Sequence, residues 1–84
     1  MTLFLTPAHC RAARGLLDWT QDDLARAAGL SRSTVRDFET GRHDLHRATE
    51  AHIVETLQQA GVRLIPADEG GPGVQLRQTG TTPP

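Results

Sequence analysis

Two sets of residues in this chain could do chemistry: nine arginines, and a thin scatter of His, Cys and acidic side chains. The second set forms no catalytic or metal-binding pattern. Cys10 is the single cysteine, so there is no disulfide framework and no cysteine cluster for zinc. His9 precedes it in sequence, but neighbours on a helix project about 100° apart, so they make no local Cys–His dyad. Cys10 reads as a small buried apolar side chain. His43, His46 and His52 have no supporting carboxylate spacing and read as surface histidines. The run Gly70 to Gly73 is too short of motif for a phosphate loop. The expectation is a protein that is not an enzyme, with no cofactor and no metal site.

The arginines are more informative. The net charge is −1, which is not the strongly basic sum typical of a nucleic-acid binder. The distribution is uneven: residues 1–47 carry seven Arg against six acids, and residues 48–84 two Arg against four. All the positive side-chain charge is Arg, none of it Lys, and Arg is suited to bidentate contact with phosphate or guanine. A GC-rich genome that favours Arg codons would give the same composition. If the chain binds DNA, a local patch must do it.

Positioning such a patch requires a scaffold, and 84 residues allow one small domain. Thr6-Pro7 is a helix start, and Cys10, Ala13, Arg14 and Leu17 share a face of the helix that follows, ending near Asp18. Thr20 opens a second helix, with a capping-box pattern closed by Asp23, an apolar stripe of Leu24, Ala25 and Ala28, and a stop at Gly29. Leu30 is an anchor, and Ser31 caps a third helix to about Thr40, with Val35 and Phe38 inward and Glu39 beside them. Gly41 to His46 is a loop. A fourth helix spans about Arg47 to Ala60, its apolar side given by Ala51, Val54 and Leu57 with Ile53 adjacent. Trp19 reads as a core plug. After Gly61 the period changes to that of strands at Val62–Pro66 and Val74–Arg77, joined by a Gly-rich loop. Thr2 to Leu5 is a third short strand or a greasy arm, and residues 78–84 look disordered.

Two features decide the reading. Helices two and three are short, joined through Gly29, and the second of them presents a polar outer face, which is the helix-turn-helix arrangement. Arg14 and Glu39 are charged residues at core-facing positions of different helices, and each is the natural partner of the other. In this register, Arg14-Gly-Leu-Leu-Asp-Trp-Thr-Gln21-Asp-Asp-Leu24-Ala25, Ala28-Gly29-Leu30-Ser31 and Val35-Arg36-Asp37-Phe38-Glu39-Thr40-Gly41-Arg42 resemble the XRE family of lambda-repressor and Cro-type regulators. The resemblance covers about residues 7–60. It implies a compact four-helix DNA-binding domain, phosphate contact by Gln21, base contact by Arg32, Ser33 and Arg36, and an Arg14–Glu39 ion pair. Asp18 stands where the family often has Gly, and Glu50 where an apolar residue is common.

The resulting expectation is a mainly α fold with a short C-terminal β-hairpin. Its divisions are an arm at 1–6, the helix-turn-helix domain at 7–61, the hairpin at 62–77 and a tail at 78–84. Arg32, Ser33, Arg36 and Asp37 are expected to read bases, and Gln21, Ser31, Thr34, Arg42 and Arg47 to contact phosphate. Val62, Leu64, Ile65, Val74 and Leu76 would expose an apolar face unless covered, and are expected to pair two chains. A monomer with the hairpin folded onto helix four is the alternative. The partners expected are double-stranded DNA and a second copy of the chain. The function is a dimeric repressor reading an inverted repeat. Beside it stands the antitoxin of a toxin–antitoxin pair, with the toxin bound at Val62–Arg77. No run approaches the ~20 apolar residues of a membrane span, and Met1 to Pro7 lacks the pattern of a secretory signal, so the expected setting is bacterial or phage-encoded and cytoplasmic.

Overall fold

The local signals for helix starts and stops appear as built caps. A computed structural model describes residues 5–66 and 70–77. Its elements are α1 (Pro7–Leu17), α2 (Gln21–Ala28), α3 (Arg32–Glu39), α4 (Arg47–Gln59), β1 (Val62–Ile65) and β2 (Gly73–Leu76). The readings made for residues 1–4, 67–69 and 78–84 lie outside the described residues. Thr20 Oγ1 accepts the Asp23 N–H at 3.0 Å, and the Asp23 carboxylate accepts the Thr20 N–H at 2.9 Å. That backbone hydrogen bond is the largest cause holding the Asp23 carboxyl below its ordinary range. Ser31 Oγ accepts the Thr34 N–H at 3.1 Å. Asp18 closes α1 in the left-handed region at φ 58°, a conformation Asp tolerates. Gly29 does the same for α2 at φ 71°, where glycine carries no Cβ penalty.

The α1 cap gives His9 a structural role beyond its place next to Cys10. Thr6 Oγ1 accepts the His9 N–H, and His9 Nδ1 accepts the Thr6 N–H at 3.2 Å. The other ring nitrogen donates to the Ile65 carbonyl at 2.7 Å, because a carbonyl can only accept. His9 is therefore both a helix cap and a tie from α1 to β1, and it is buried.

One core joins helices and hairpin. It contains Leu5, Cys10, Ala13, Leu24, Ala25, Ala28, Val35, Phe38, Ile53, Leu57, Val62 and Leu64, with Leu17, Trp19, Leu30, Leu45, Val54 and Val74 packed at its edge. Two expectations change. Ala51 is exposed. Ile53 and Leu57, four apart, face the core, and at 100° per residue Ala51 lies about 160° from Ile53. Glu50 falls nearer that face and accepts the Leu5 N–H at 2.9 Å, which gives a partly buried carboxylate a use at an ordinarily apolar position. The hairpin is antiparallel, with Val62 opposite Leu76 and Leu64 opposite Val74, and it packs against α1 and α4. Val62 and Leu64 are thereby buried inside their own protomer and present no apolar face to a second chain. Ile65 and Val74 are half-buried, and Leu76 is 46% exposed.

The structure brings Arg14 and Glu39 together at this core. Arg14 Nε donates to Glu39 Oε2 and Arg14 Nη2 to Glu39 Oε1, both at 2.8 Å. Cys10 Sγ donates to Oε2 at 3.0 Å and Gln21 Nε2 to Oε1 at 3.1 Å. The Glu39 side chain is 1% exposed. Burial alone would raise its pKa, but the hydrogen bonds from Arg14, Cys10 and Gln21 and the Arg14 charge outweigh burial and hold it below the ordinary value. Hydrogen bonding to Glu39 in turn raises Arg14. Burial, then the Glu39 bond and charge, push the Cys10 thiol far above the usual thiol range, which disfavours the thiolate.

Breaking this pair leaves the partly buried Arg14 guanidinium without its carboxylate. Glu39→Ala should cost about 3–5 kcal/mol, which in a domain of this size lowers Tm by on the order of 20 °C. Glu55, exposed on α4, is the control, and a Glu39→Ala loss no larger than that of Glu55→Ala in thermal melts would contradict the buried pair. The sign of the pH effect follows from the depressed carboxyl. Its contribution is complete above the unfolded Glu pKa of about 4.3 and disappears as pH falls through that value toward the lower folded one. The Tm gap between wild type and Glu39→Gln should narrow between about pH 6 and about pH 3; a gap independent of pH would contradict the shift.

Candidate nucleic-acid interface

The outer face of α3 is set by what its inner face must bury. Val35, Phe38 and Glu39 are buried, so Arg32, Ser33 and Arg36 are turned to solvent. Arg32 and Arg36 are four residues apart and share one side of the helix. Arg32 has no acidic partner among the described residues. Arg36 Nε lies 3.5 Å from Asp37 Oδ1, a long contact between half-exposed groups that leaves most of the guanidinium available. Asp37 is only partly exposed, and its backbone carbonyl accepts the Arg42 N–H at 2.8 Å and that of His43 at 3.4 Å. The loop after α3 is thus folded back onto the helix end. Gly41 turns it at φ 80°.

The remaining expected residues occupy the rim. Ser31 Oγ is engaged by the Thr34 N–H, and also lies 2.8 Å from Thr34 Oγ1 and 3.2 Å from Ser33 Oγ, forming a hydroxyl cluster at the start of α3. Arg42 and Arg47 are exposed and have no ion pair among the described residues. Gln21 is half-buried at the first position of α2, held to Glu39. The α2 start is not purely positive: Asp22 and Asp23 lie in its first turn, and Arg26 sits 3.9 Å and 3.1 Å from their carboxylates. The hairpin residues expected to pair chains lie apart from this face, since the strands pack on α1 and α4.

Sequence reasoning missed Arg11. Its Nη1 donates to the Glu39 main-chain carbonyl at 2.6 Å, which satisfies one of the free carbonyls at the end of α3 and ties that end to α1. The available signal was its position one turn after Pro7, three residues before Arg14. Among the described residues no group of His, Cys, Asp and Glu could hold a metal ion, and no helix is long and apolar enough to cross a membrane.

A capped helix with two exposed arginines on one side, held across a glycine turn from a second short helix, has the helix-turn-helix arrangement. No curated protein matches the chain. A family model described as Helix-turn-helix matches residues 11–48, which run from the first half of α1 to the start of α4. This match supports classing the stretch with the XRE-type helix-turn-helix domains of DNA-binding transcription regulators.

Proposed function

We propose that the chain is a sequence-specific repressor of transcription that binds an inverted repeat in double-stranded DNA as a homodimer, in the cytoplasm, and acts by occupying its operator. The observation that carries this reading is the outer face of α3, where Arg32, Ser33 and Arg36 are exposed beside a capped helix start. Arg32 and Arg36 are the base readers, each able to clamp guanine O6 and N7. Ser33 adds a short hydroxyl contact, and Asp37 orients Arg36 or accepts from cytosine N4. Gln21, Ser31, Thr34, Arg42 and Arg47 hold the backbone. With a formal charge of −1, affinity rests on a few local contacts, so the salt dependence per half-site is shallow and bases supply more of the discrimination.

Dimerisation uses the hairpin, but by its edge and not by its covered face. Arg77 N–H bonds to the Gly61 carbonyl, so Arg63–Gln75 and Ile65–Gly73 are the hydrogen-bonded pairs of the ladder. The N–H and C=O groups of Val74 and Leu76 then point to the outer edge of β2. They carry no hydrogen bond among the described residues. An unpaired edge beside a half-exposed Leu76 favours pairing with a second β2 across a two-fold axis.

Binding to a panel of single-base operator variants tests the reader. Arg36→Ala should cost about 1–3 kcal/mol on the best site and relax preference at a guanine, whereas Arg42→Ala should weaken all sequences alike. Half-site centres should lie ~34 Å apart. Unchanged base preferences in both Arg32→Ala and Arg36→Ala would remove α3 as the reader. For the dimer, Leu76→Asp leaves the core intact and should give monomers in light scattering; a wild-type monomer at micromolar concentration refutes the edge pairing.

A further inference from the structure

We infer that Glu39 is a positioning residue for DNA binding: through the Gln21 amide it sets one backbone contact, an inference that rests on the reading of Gln21 as a phosphate ligand. Glu39 ends α3 and Gln21 begins α2, yet Gln21 Nε2 lies 3.1 Å from Glu39 Oε1. The two ends of a glutamine amide are nearly alike in shape and opposite in chemistry. An ionised carboxylate only accepts, so the NH2 end must face Glu39 and the amide has one orientation. Glu39 itself cannot turn, because Arg14 grips both of its oxygens and Cys10 adds a further bond.

The consequence lies at the start of α2. The Asp23 N–H is taken by Thr20, which leaves the N–H groups of Gln21 and Asp22 and the second side-chain N–H of Gln21 as donors. A phosphate also only accepts. The acids Asp22 and Asp23 oppose an anion here, partly neutralised by Arg26. A neutral donor held in place before binding loses little rotamer freedom on contact and cannot present its carbonyl by mistake. With Glu39 made neutral as Gln, the two amides can exchange roles, and Gln21 then faces inward with its oxygen. The same carboxylate that stabilises the fold therefore sets a DNA contact that no base reader touches.

The test uses the full chain and DNA selected from a random pool, with methylphosphonate placed at single linkages. Wild type should lose about tenfold in affinity when the phosphate facing α2 is neutralised, the size of one hydrogen bond to a charged group. Glu39→Gln and Gln21→Ala should each bind native DNA about tenfold more weakly and lose clearly less than wild type from that substitution, because only the backbone N–H groups then face the phosphate. A purely structural role would weaken binding to both DNAs equally and preserve the wild-type ratio; finding that ratio in folded Glu39→Gln overturns the inference. If that variant does not fold, wild-type NMR decides. One Gln21 side-chain proton should exchange slowly with solvent, and fast exchange of both overturns the inference. Failure of wild type to select any DNA would instead remove the functional reading beneath it.

Discussion

A carboxylate enclosed in a small apolar core is the constraint on which the rest of the fold depends. Glu39 is 2% exposed, and an ionised group so placed is tolerated only where donors surround it. Its oxygens are met by Arg14 and Cys10 from α1 and by Gln21 from α2, while Arg11 closes the main-chain carbonyl of the same residue. Apolar contacts are non-directional and allow helices to slide; hydrogen bonds to a fixed charge do not. The mutual placement of α1, α2 and α3 is therefore specified by polar geometry, and the apolar residues fill the space that geometry leaves.

The outer face of α3, the proposed reading surface, inherits its orientation from that network. Glu39, Phe38 and Val35 fix the rotation of α3, and rotation alone decides that Arg32, Ser33 and Arg36 are outside. A charge network is an economical device in a domain this short, where few apolar side chains are available to fix three helices. The hairpin completes the enclosure. Val62 and Leu64 seal the side of the core between α1 and α4, and His9 pins β1 to the start of α1. The strands thus pack into the same core as the helices.

Much of this was legible beforehand because the signals are local. Thr6-Pro7, Thr20 with Asp23, Ser31, Asp18 and Gly29 mark helix ends through interactions within a few residues, so the element boundaries agree with the structure to within a residue or two. The pairing of Arg14 with Glu39 was also readable, because a charge on an apolar face demands an opposite charge. Less was legible in α4, where Ala51 and Ile53 are both apolar and periodicity does not choose between them. The burial of Glu50 beside Ile53 depends on the Leu5 amide, 45 residues away in sequence.

The helices, their caps, the glycine turn between α2 and α3 and the residues of the candidate reading face were readable along the chain. These follow from short-range hydrogen bonding and from a helical period. Tertiary structure alone decided what the hairpin covers, what His9 ties and where Gln21 points. An alternating strand has an apolar face whether it meets its own helices or a second chain, and an imidazole at a cap is silent about its far nitrogen. Only the packing of β1 against α1 and α4 brings Ile65 within reach of His9 and turns Val62 and Leu64 inward. Only the crossing of α2 and α3 sets an amide donor against a carboxylate.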